Sequence, residues 1–325
     1  MKAAIRNTYG PPSVLKYQET QTPVQSENEL LIKVYNSTVN RTDCAILTGT
    51  PLIMRLVCGL FRPKNLILGT DFSGTVEKVG SSVSSFQIGD RVLGFHDMGS
   101  RSQAEYLVIK EKGNLVKIPQ SIPLKDASAA IEGAHYAINI LNKISLKKGQ
   151  NVLLIGATGA IGSALLQFVV SIGASVSAVC RGEHTALVES MGATKVIDYT
   201  RENFLETEEK YDFVFDAVGK STFGKCKPLL KEKGIYISTE LGPWSQNLFF
   251  AISTPLLEGK KVKFPFPSNI KASLAFVVNQ IELREFKPLI DKKYSPEKIS
   301  EAYEYVMSGK KVGNVLVEFH SESEG

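Results

Sequence analysis

Four cysteines are spread over 325 residues, at positions 44, 58, 180 and 226. None forms a CxxC pair, which excludes a locally encoded zinc knuckle or dithiol redox motif. So few in so long a chain also exclude a disulfide framework and suit a reducing compartment. Histidine is scarce, with four in all. His96, His135 and His320 show no partner spacing and receive no role, since a lone histidine is more often structural or exposed. Long apolar runs are missing as well. The stretches at 248–257 and 273–278 are broken by polar residues or proline and are too short to span a bilayer. The opening MKAAIRNTYG has no apolar core of signal-peptide length, so the expected location is the cytosol, with no membrane partner. No single sign of charge dominates: 38 basic against 33 acidic residues leave +5, with scattered lysines. Short basic runs near 258–263 and 309–311 read as solvated edges in preference to a nucleic-acid surface.

What is present is enough apolar content, 43%, for two domains with their own cores. The first third reads as short strands, at 2–6, 15–19, 29–34, 74–79, 91–95 and 104–109. They alternate apolar and polar residues and are separated by turn residues such as Gly10-Pro11-Pro12 and Gly89-Asp90. Leu30, Ile32 and Val34 share one face and Lys33 takes the other, which suggests a barrel-like β domain. PLIMRLVCGLF, at 51–61, departs from this pattern and reads as a helical lid or a buried connection.

The period changes near Pro119. A helical pattern covers 124–142, and strands then alternate with helices. Strands are expected at 151–155, 175–179, 195–197, 212–217, 235–239 and 262–266. Helices are expected at 160–172, 183–191, 222–231 and 245–257. Six such strands imply a parallel sheet covered on both faces. In the tail, 271–285 reads as helix, Ser295-Pro296 opens another, and 314–319 reads as a final strand.

The sharpest motif follows the 151–155 strand. Gly156, Ala157, Thr158, Gly159, Ala160, Ile161 and Gly162 form a GxxGxxG turn that opens a helix, the context a dinucleotide fingerprint requires. Gly159 lets backbone approach a pyrophosphate, Gly162 allows close helix–strand packing, and the helix N-terminus supplies N–H groups. The second strand ends Ala178-Val179-Cys180-Arg181-Gly182. No acid stands there for the ribose hydroxyls of NAD, and Arg181 suits a 2′-phosphate, so NADPH is favoured. Glu183 would oppose that phosphate if it pointed inward.

These motifs resemble those of the medium-chain dehydrogenase/reductase superfamily over nearly the whole chain. The resemblance rests on Val39-Asn40-Arg41-Thr42-Asp43, Gly69-Thr70-Asp71, VSSFQIGDRVLG at 83–94, Ala104-Glu105-Tyr106, the glycine turn, Met191-Gly192-Ala193, Val196-Ile197-Asp198-Tyr199, Phe215-Asp216-Ala217-Val218-Gly219 and Gly313-Asn314-Val315-Leu316-Val317. Within the superfamily the chain resembles the zinc-free quinone oxidoreductase and enone reductase branch. The implied fold is α/β: a GroES-like β-barrel catalytic domain from residues 1–120 and 258–325, around a Rossmann doubly wound six-stranded parallel sheet at 121–257. The resemblance also implies a homodimer through the edge strand at 260–266. Cys180, His184 and Tyr199, with Arg181, are the residues expected around the adenosine phosphate. Ala217, Val218 and Gly219, and Thr239, Leu241 and Gly242, follow the fourth and fifth strands and are expected to line the cofactor crevice.

Zinc relatives carry a cysteine ligand where Asn40 stands and a His-Glu pair where Thr70 and Asp71 stand, with their third ligand near Glu132. An amide and a hydroxyl are poor zinc ligands, so no metal is expected. Asp71 is then better read as a structural carboxylate. Asn40, Asp43 and Tyr136 are the candidate catalytic residues, against helix capping for the first two and packing for the third. Glu132 is a further proton donor if desolvated. Leu52, Ile53, Met54, Leu56 and Leu60, with Trp244, Leu248, Phe249 and Phe250, are candidate substrate walls, core, or a dimer contact. The expected reaction is zinc-independent hydride transfer from NADPH to a quinone or to the C=C of an α,β-unsaturated carbonyl. The alternatives are an alcohol dehydrogenase or aldehyde reductase of the same superfamily, and a non-catalytic NADPH-binding redox sensor.

Overall fold

A computed structural model describes residues 1–322; residues 323–325 and the Ile53 side chain lie outside the described residues. The chain divides into two compact units. One holds Met1–Glu132, Asn269–Glu282 and the residues from Pro288 onward; the other holds Gly133–Ser268 and Leu283–Lys287.

The first unit is built on Glu29–Val39, an eleven-residue strand. It runs five residues past the expected end because Tyr35 to Val39 are all buried, with Ser37 and Thr38 finding polar partners inside. One edge pairs with Asp71–Val79. The other is shared, with Tyr106–Lys110 along its first half and Asn314–Glu318 along its second. Arg91–Phe95, Leu115–Lys117 and Ile290–Tyr294 complete a seven-stranded sheet. Leu30, Ile32, Val34, Phe72, Val76 and Val92 form one core. Ile290–Tyr294, read IDKKY, escaped the sequence pattern because it has little apolar alternation. Arg6 is 1% exposed, and its guanidinium donates to the carbonyls of Ile46 and Leu47 at the C-terminal end of the Arg41–Thr48 helix. That is the negative end of the helix dipole, where a cation is favoured.

The second unit is a six-stranded sheet. Its strands lie in the order Lys195–Asp198, Ser175–Cys180, Asn151–Ile155, Tyr211–Asp216, Leu230–Ser238 and Lys261–Lys263. Every pairing is parallel. The order reverses between Asn151–Ile155 and Tyr211–Asp216, the switch point at which doubly wound sheets bind ligands. Leu153, Val179, Val214, Phe223, Tyr236 and Val262 pack one side of it. Two expectations need correction. The helix read at 222–231 is only Phe223–Cys226 with one further turn, because Pro228 has no N–H to continue it and strand begins at Leu230. The domain limits near 120 and 258 also shift. The Leu124–Ala129 helix belongs to the first unit, where Ser73 donates to the Leu124 carbonyl at 2.7 Å, and Lys261–Lys263 pairs within the parallel sheet of the second. Among the described residues no helix is long and apolar enough to cross a membrane.

Candidate active site

The strand register brings the cofactor candidates together. Ile155 faces Val179 and Asp216; Asp216 faces Ser238; Cys180 faces Asp198. The chain leaves all five strands at one edge of the sheet. Gly156–Ile161, Arg181 to His184, Tyr199, Ala217–Gly219 and Thr239–Gly242 follow directly from those strand ends. Backbone bonds tie them in place: Gly156 N to Val179 O at 3.1 Å, Tyr199 N to Cys180 O at 3.2 Å, Ala217 N to Ile155 O at 3.1 Å and Thr239 N to Asp216 O at 3.1 Å.

Within the turn, each glycine has a separate reason. Gly156 has φ +85°, and a Cβ there would lie 2.5 Å from Val218. A Cβ on Gly162 would lie 2.0 Å from the Gly156 carbonyl oxygen. Gly159 is different. Its backbone is unstrained at φ −71°, and a Cβ would meet nothing closer than 3.7 Å. The space above Gly159 is therefore open, and it lies at the N-cap of the Ala160–Ser171 helix, whose first N–H groups have no partner within the helix. An open, positively polarised cradle of this kind fits the pyrophosphate of a dinucleotide. Ala157, standing where a glycine is commoner, is fully buried and donates to Val179 O at 3.3 Å.

Asp216 organises the next loop, a role the sequence reading missed. It is fully buried, and its Oδ1 accepts from the N–H groups of Val218, Gly219 and Lys220 while Oδ2 accepts from Ser221. The available signal was a carboxylate ending an otherwise apolar strand. Asp198 is the second omission. No acid ends the second strand, but this one reaches it from the next. A Cβ on Gly182 would lie 2.2 Å from Asp198 Oδ2. Thr200 and Gly182 donate to this carboxylate and hold its pKa below the usual range. Arg201 pairs with this carboxylate at 3.5 Å, while Arg181 and His184 both face Glu183, at 3.3 and 3.5 Å. Tyr199 is half-exposed.

The candidate catalytic residues of the first unit lie in a different setting. Asn40 caps the Arg41–Thr48 helix: its Oδ1 accepts from Asp43 N at 2.8 Å, and Asp43 Oδ2 accepts from Asn40 N at 3.2 Å. Asn40 Nδ2 donates to Thr70 Oγ1 at 2.7 Å. Both residues are buried and form a capping box, with Asp43 Oδ1 left without a hydrogen-bond partner. Burial, with Asp71 and Glu132 nearby, pushes Asp43 well above the carboxylate range. Asp71 sits on the strand beside this cap. It accepts from Thr38 N at 2.6 Å and from the Thr38 hydroxyl, and burial raises it to about 6. Its expected structural role is what these bonds describe. Ser37, Gln103 and Tyr303 extend the network: Gln103 donates to Thr38 O at 3.1 Å and accepts from the Tyr303 hydroxyl at 2.8 Å.

Glu132 is only 7% exposed, against the ordinary expectation for a glutamate. Burial pushes it up to about 7, with Lys311 pulling the other way, and its Oε1 accepts from Thr42 Oγ1 at 3.1 Å. Thr42 was read only as part of a motif, and Lys311 as part of a solvated basic edge; the latter needs correction, since Lys311 is largely buried, feels Glu132 and donates to Gly313 O at 2.6 Å. Tyr136, a residue of the second unit on the Ile131–Leu141 helix, is half-buried with its ring 5.6 Å from that of His135. Of the proposed substrate walls, Leu52, Leu56, Leu60, Trp244 and Phe249 are exposed.

The positions that hold zinc in relatives carry an amide and a hydroxyl bonded to each other and a carboxylate engaged by Thr38. They offer neither thiolate nor imidazole, and this donor set does not fit zinc. Among the described residues no group of three or more His, Cys, Asp or Glu is placed to hold a metal ion.

Comparison with known proteins agrees with the fold and with a dinucleotide site. Residues 26–120 match the alcohol dehydrogenase GroES-like domain family, and residues 191–317 match the zinc-binding dehydrogenase family. The chain is 29% identical to a chloroplastic quinone-oxidoreductase homolog of Spinacia oleracea, covering 95% of each protein. It is 29% identical to the chloroplastic NADPH-dependent alkenal/one oxidoreductase of Arabidopsis thaliana, over 98% of this chain and 79% of that one. The fold superposes on the quinone oxidoreductase from Coxiella burnetii with a TM-score of 0.87 at 24% identity, covering 98% and 99% of the two chains. With its β unit, its parallel sheet of order reversed at the glycine turn, and these relatives along its length, the chain belongs to the medium-chain dehydrogenase/reductase superfamily, in its quinone oxidoreductase branch.

Proposed function

We propose that the protein is an NADPH-dependent oxidoreductase that reduces a quinone or the C=C bond of an α,β-unsaturated carbonyl, and that it does so without zinc. The observation that carries this reading is that one chain holds both a dinucleotide cradle and, at the zinc positions, a hydrogen-bonded network of Asn40, Thr70, Thr38 and Asp71. The relatives named above for quinone and for alkenal or enone substrates support it. When bound, a reduced nicotinamide supplies hydride, which such acceptors take up without a metal because the resulting charge is delocalised.

The chain's own residues have distinct tasks in this reading. The N–H groups after Gly159 hold the pyrophosphate. Arg181, with His184 and Tyr199, meets the 2′-phosphate, and the exposed Arg181–Glu183 pair is weak enough to open for it. Ala217 to Gly219, and Thr239, Leu241 and Gly242, line the crevice. Glu132 carries a proton on its carboxyl up to about pH 7, beside the Thr42 hydroxyl, and serves as the proton donor. Tyr136 is the second candidate for that task. A homodimer is part of the proposal. The Lys261–Lys263 edge lies beside a cavity of about 400 Å³ lined by Leu248, Ile252, Phe264 and Phe266, and the apolar side chains of Phe249 and Ile252 are exposed next to it.

A panel of quinones, enals and enones, assayed with NADPH and with NADH in the presence of a chelator, tests the reading. Turnover with NADPH and at least one member supports it. Turnover confined to simple aldehydes and dependent on added zinc overturns it.

A further inference from the structure

No acidic residue occurs between Asp43 and Asp71. This acid-free stretch includes the short Ile53–Cys58 helix and the loop after it, and it holds the densest group of exposed apolar side chains in the first unit. Leu52 is 74% exposed, Leu56 65%, Leu60 54% and Phe61 87%. Leu52 and Leu56 are four residues apart, on one face of a helical turn. Arg62 and Lys64 are exposed beside them, and Arg101 is held against the loop by its bond to Asn65 at 2.7 Å.

The base of this surface is firmly built. Lys64 N closes the loop onto Cys58 O at 2.8 Å. The Tyr9 hydroxyl donates to Gly59 O at 2.6 Å, and the Arg55 guanidinium lies 4.9 Å from the Tyr9 ring. A Cβ on Gly59 would lie 2.1 Å from Arg62 O, so the turn is as tight as glycine allows. A loop fixed from beneath, with leucine and phenylalanine at its tip, keeps an apolar surface in water at a cost that calls for an occupant.

Charge identifies which one. We infer that this face docks on the surface of an anionic lipid bilayer, with Leu60 and Phe61 entering the headgroup boundary and Arg62, Lys64 and Arg101 meeting the lipid phosphates. An apolar tip ringed by cations is the composition that binds such interfaces. A second copy of the chain would bring the same cations, and like charges would oppose that pairing. The inference stands apart from the reaction proposed above.

Flotation of the full chain with vesicles is the test, comparing phosphatidylcholine alone with phosphatidylcholine containing phosphatidylserine. Binding to the anionic vesicles, weakened by salt, is expected, with much less to the neutral ones. Arg62→Ala combined with Lys64→Ala should weaken binding roughly 30-fold, and Leu60→Ser with Phe61→Ser should abolish it. Circular dichroism establishes that these variants fold. Phe61→Trp in a Trp244→Phe background is a conservative second probe, whose emission should shift to the blue when anionic vesicles are added. The inference fails if the chain binds neither vesicle type, if it binds both equally, if the loop variants bind unchanged, or if emission at position 61 does not move. It fails equally if sedimentation shows a loop-dependent self-association instead.

Discussion

The Thr42 hydroxyl lies 3.1 Å from Glu132 Oε1 and donates to a carboxyl that burial pushes up to about 7. The unfolded chain would release that proton near 4.5. Folding therefore favours the protonated form. Its contribution to stability is fully present below about pH 4.5 and is lost as pH rises through about 7. Glu132→Gln removes the loss. The variant should lack the wild type's loss of stability between about pH 4.5 and 7, while Lys311 loses its buried partner at every pH. Urea unfolding at the two pH values measures this directly. Asp71, raised to about 6, acts with the same sign and remains as a common background.

Activity gives the same residue a second readout. If Glu132 donates the proton, the wild-type kcat falls above about pH 7 as the carboxyl ionises. Glu132→Gln should lose that limb and retain about one hundredth of the kcat or less. An unchanged profile would return the task to Tyr136.

Gly159 and Gly162 separate binding from folding. Gly162→Ala places a Cβ 2.0 Å from the Gly156 carbonyl and should lower stability as well as cofactor affinity. Gly159→Ala has no neighbour closer than 3.7 Å, so its melting temperature should equal that of the wild type. Its Cβ instead occupies the space a pyrophosphate needs, and NADPH affinity should fall at least tenfold, read by fluorescence titration.

Arg181 and Glu183 bear on cofactor choice with opposite signs. Arg181→Ala should weaken NADPH by roughly tenfold or more and leave NADH nearly unchanged. Glu183→Ala frees Arg181 and His184 from a competing carboxylate, and NADPH binding should tighten. Dissociation constants for both cofactors in both variants check the pair.

Asp216 holds four consecutive N–H groups from Val218 to Ser221. Asp216→Ala leaves them without their acceptor and should cost about 3 kcal/mol or more. Asp216→Asn keeps one acceptor but turns an amide toward a donor, so it should recover only part of that loss in a thermal melt.

Much of the second unit was legible because its strands are continuous apolar runs set off by turns. NVLLI before a glycine turn has few other readings. The boundaries failed where short-range pattern gives way to pairing: Lys261–Lys263 is a strand because Leu230–Ser238 offers it an edge. In the cofactor region, residues were recognisable by their place after strand ends, whereas Asp198 and Asp216 act on turns that only the folded register brings to them. Asn40 and Asp43 were recognisable as a pair, and their spacing suits a capping box as well as it suits catalysis. The capping bonds themselves only the folded structure shows. The burial of Glu132 could not be read at all, since it depends on Thr42 and Lys311, far away in sequence.

The shared edge of Glu29–Val39 has a consequence for synthesis. Its second half pairs with Asn314–Glu318, so the strand leaves the ribosome nearly three hundred residues before its partner does. All of Gly133–Ser268 emerges in that interval and can fold first. The edge from Asn36 to Val39 has to wait, open to pairing with any other strand within reach, until the last stretch of chain arrives.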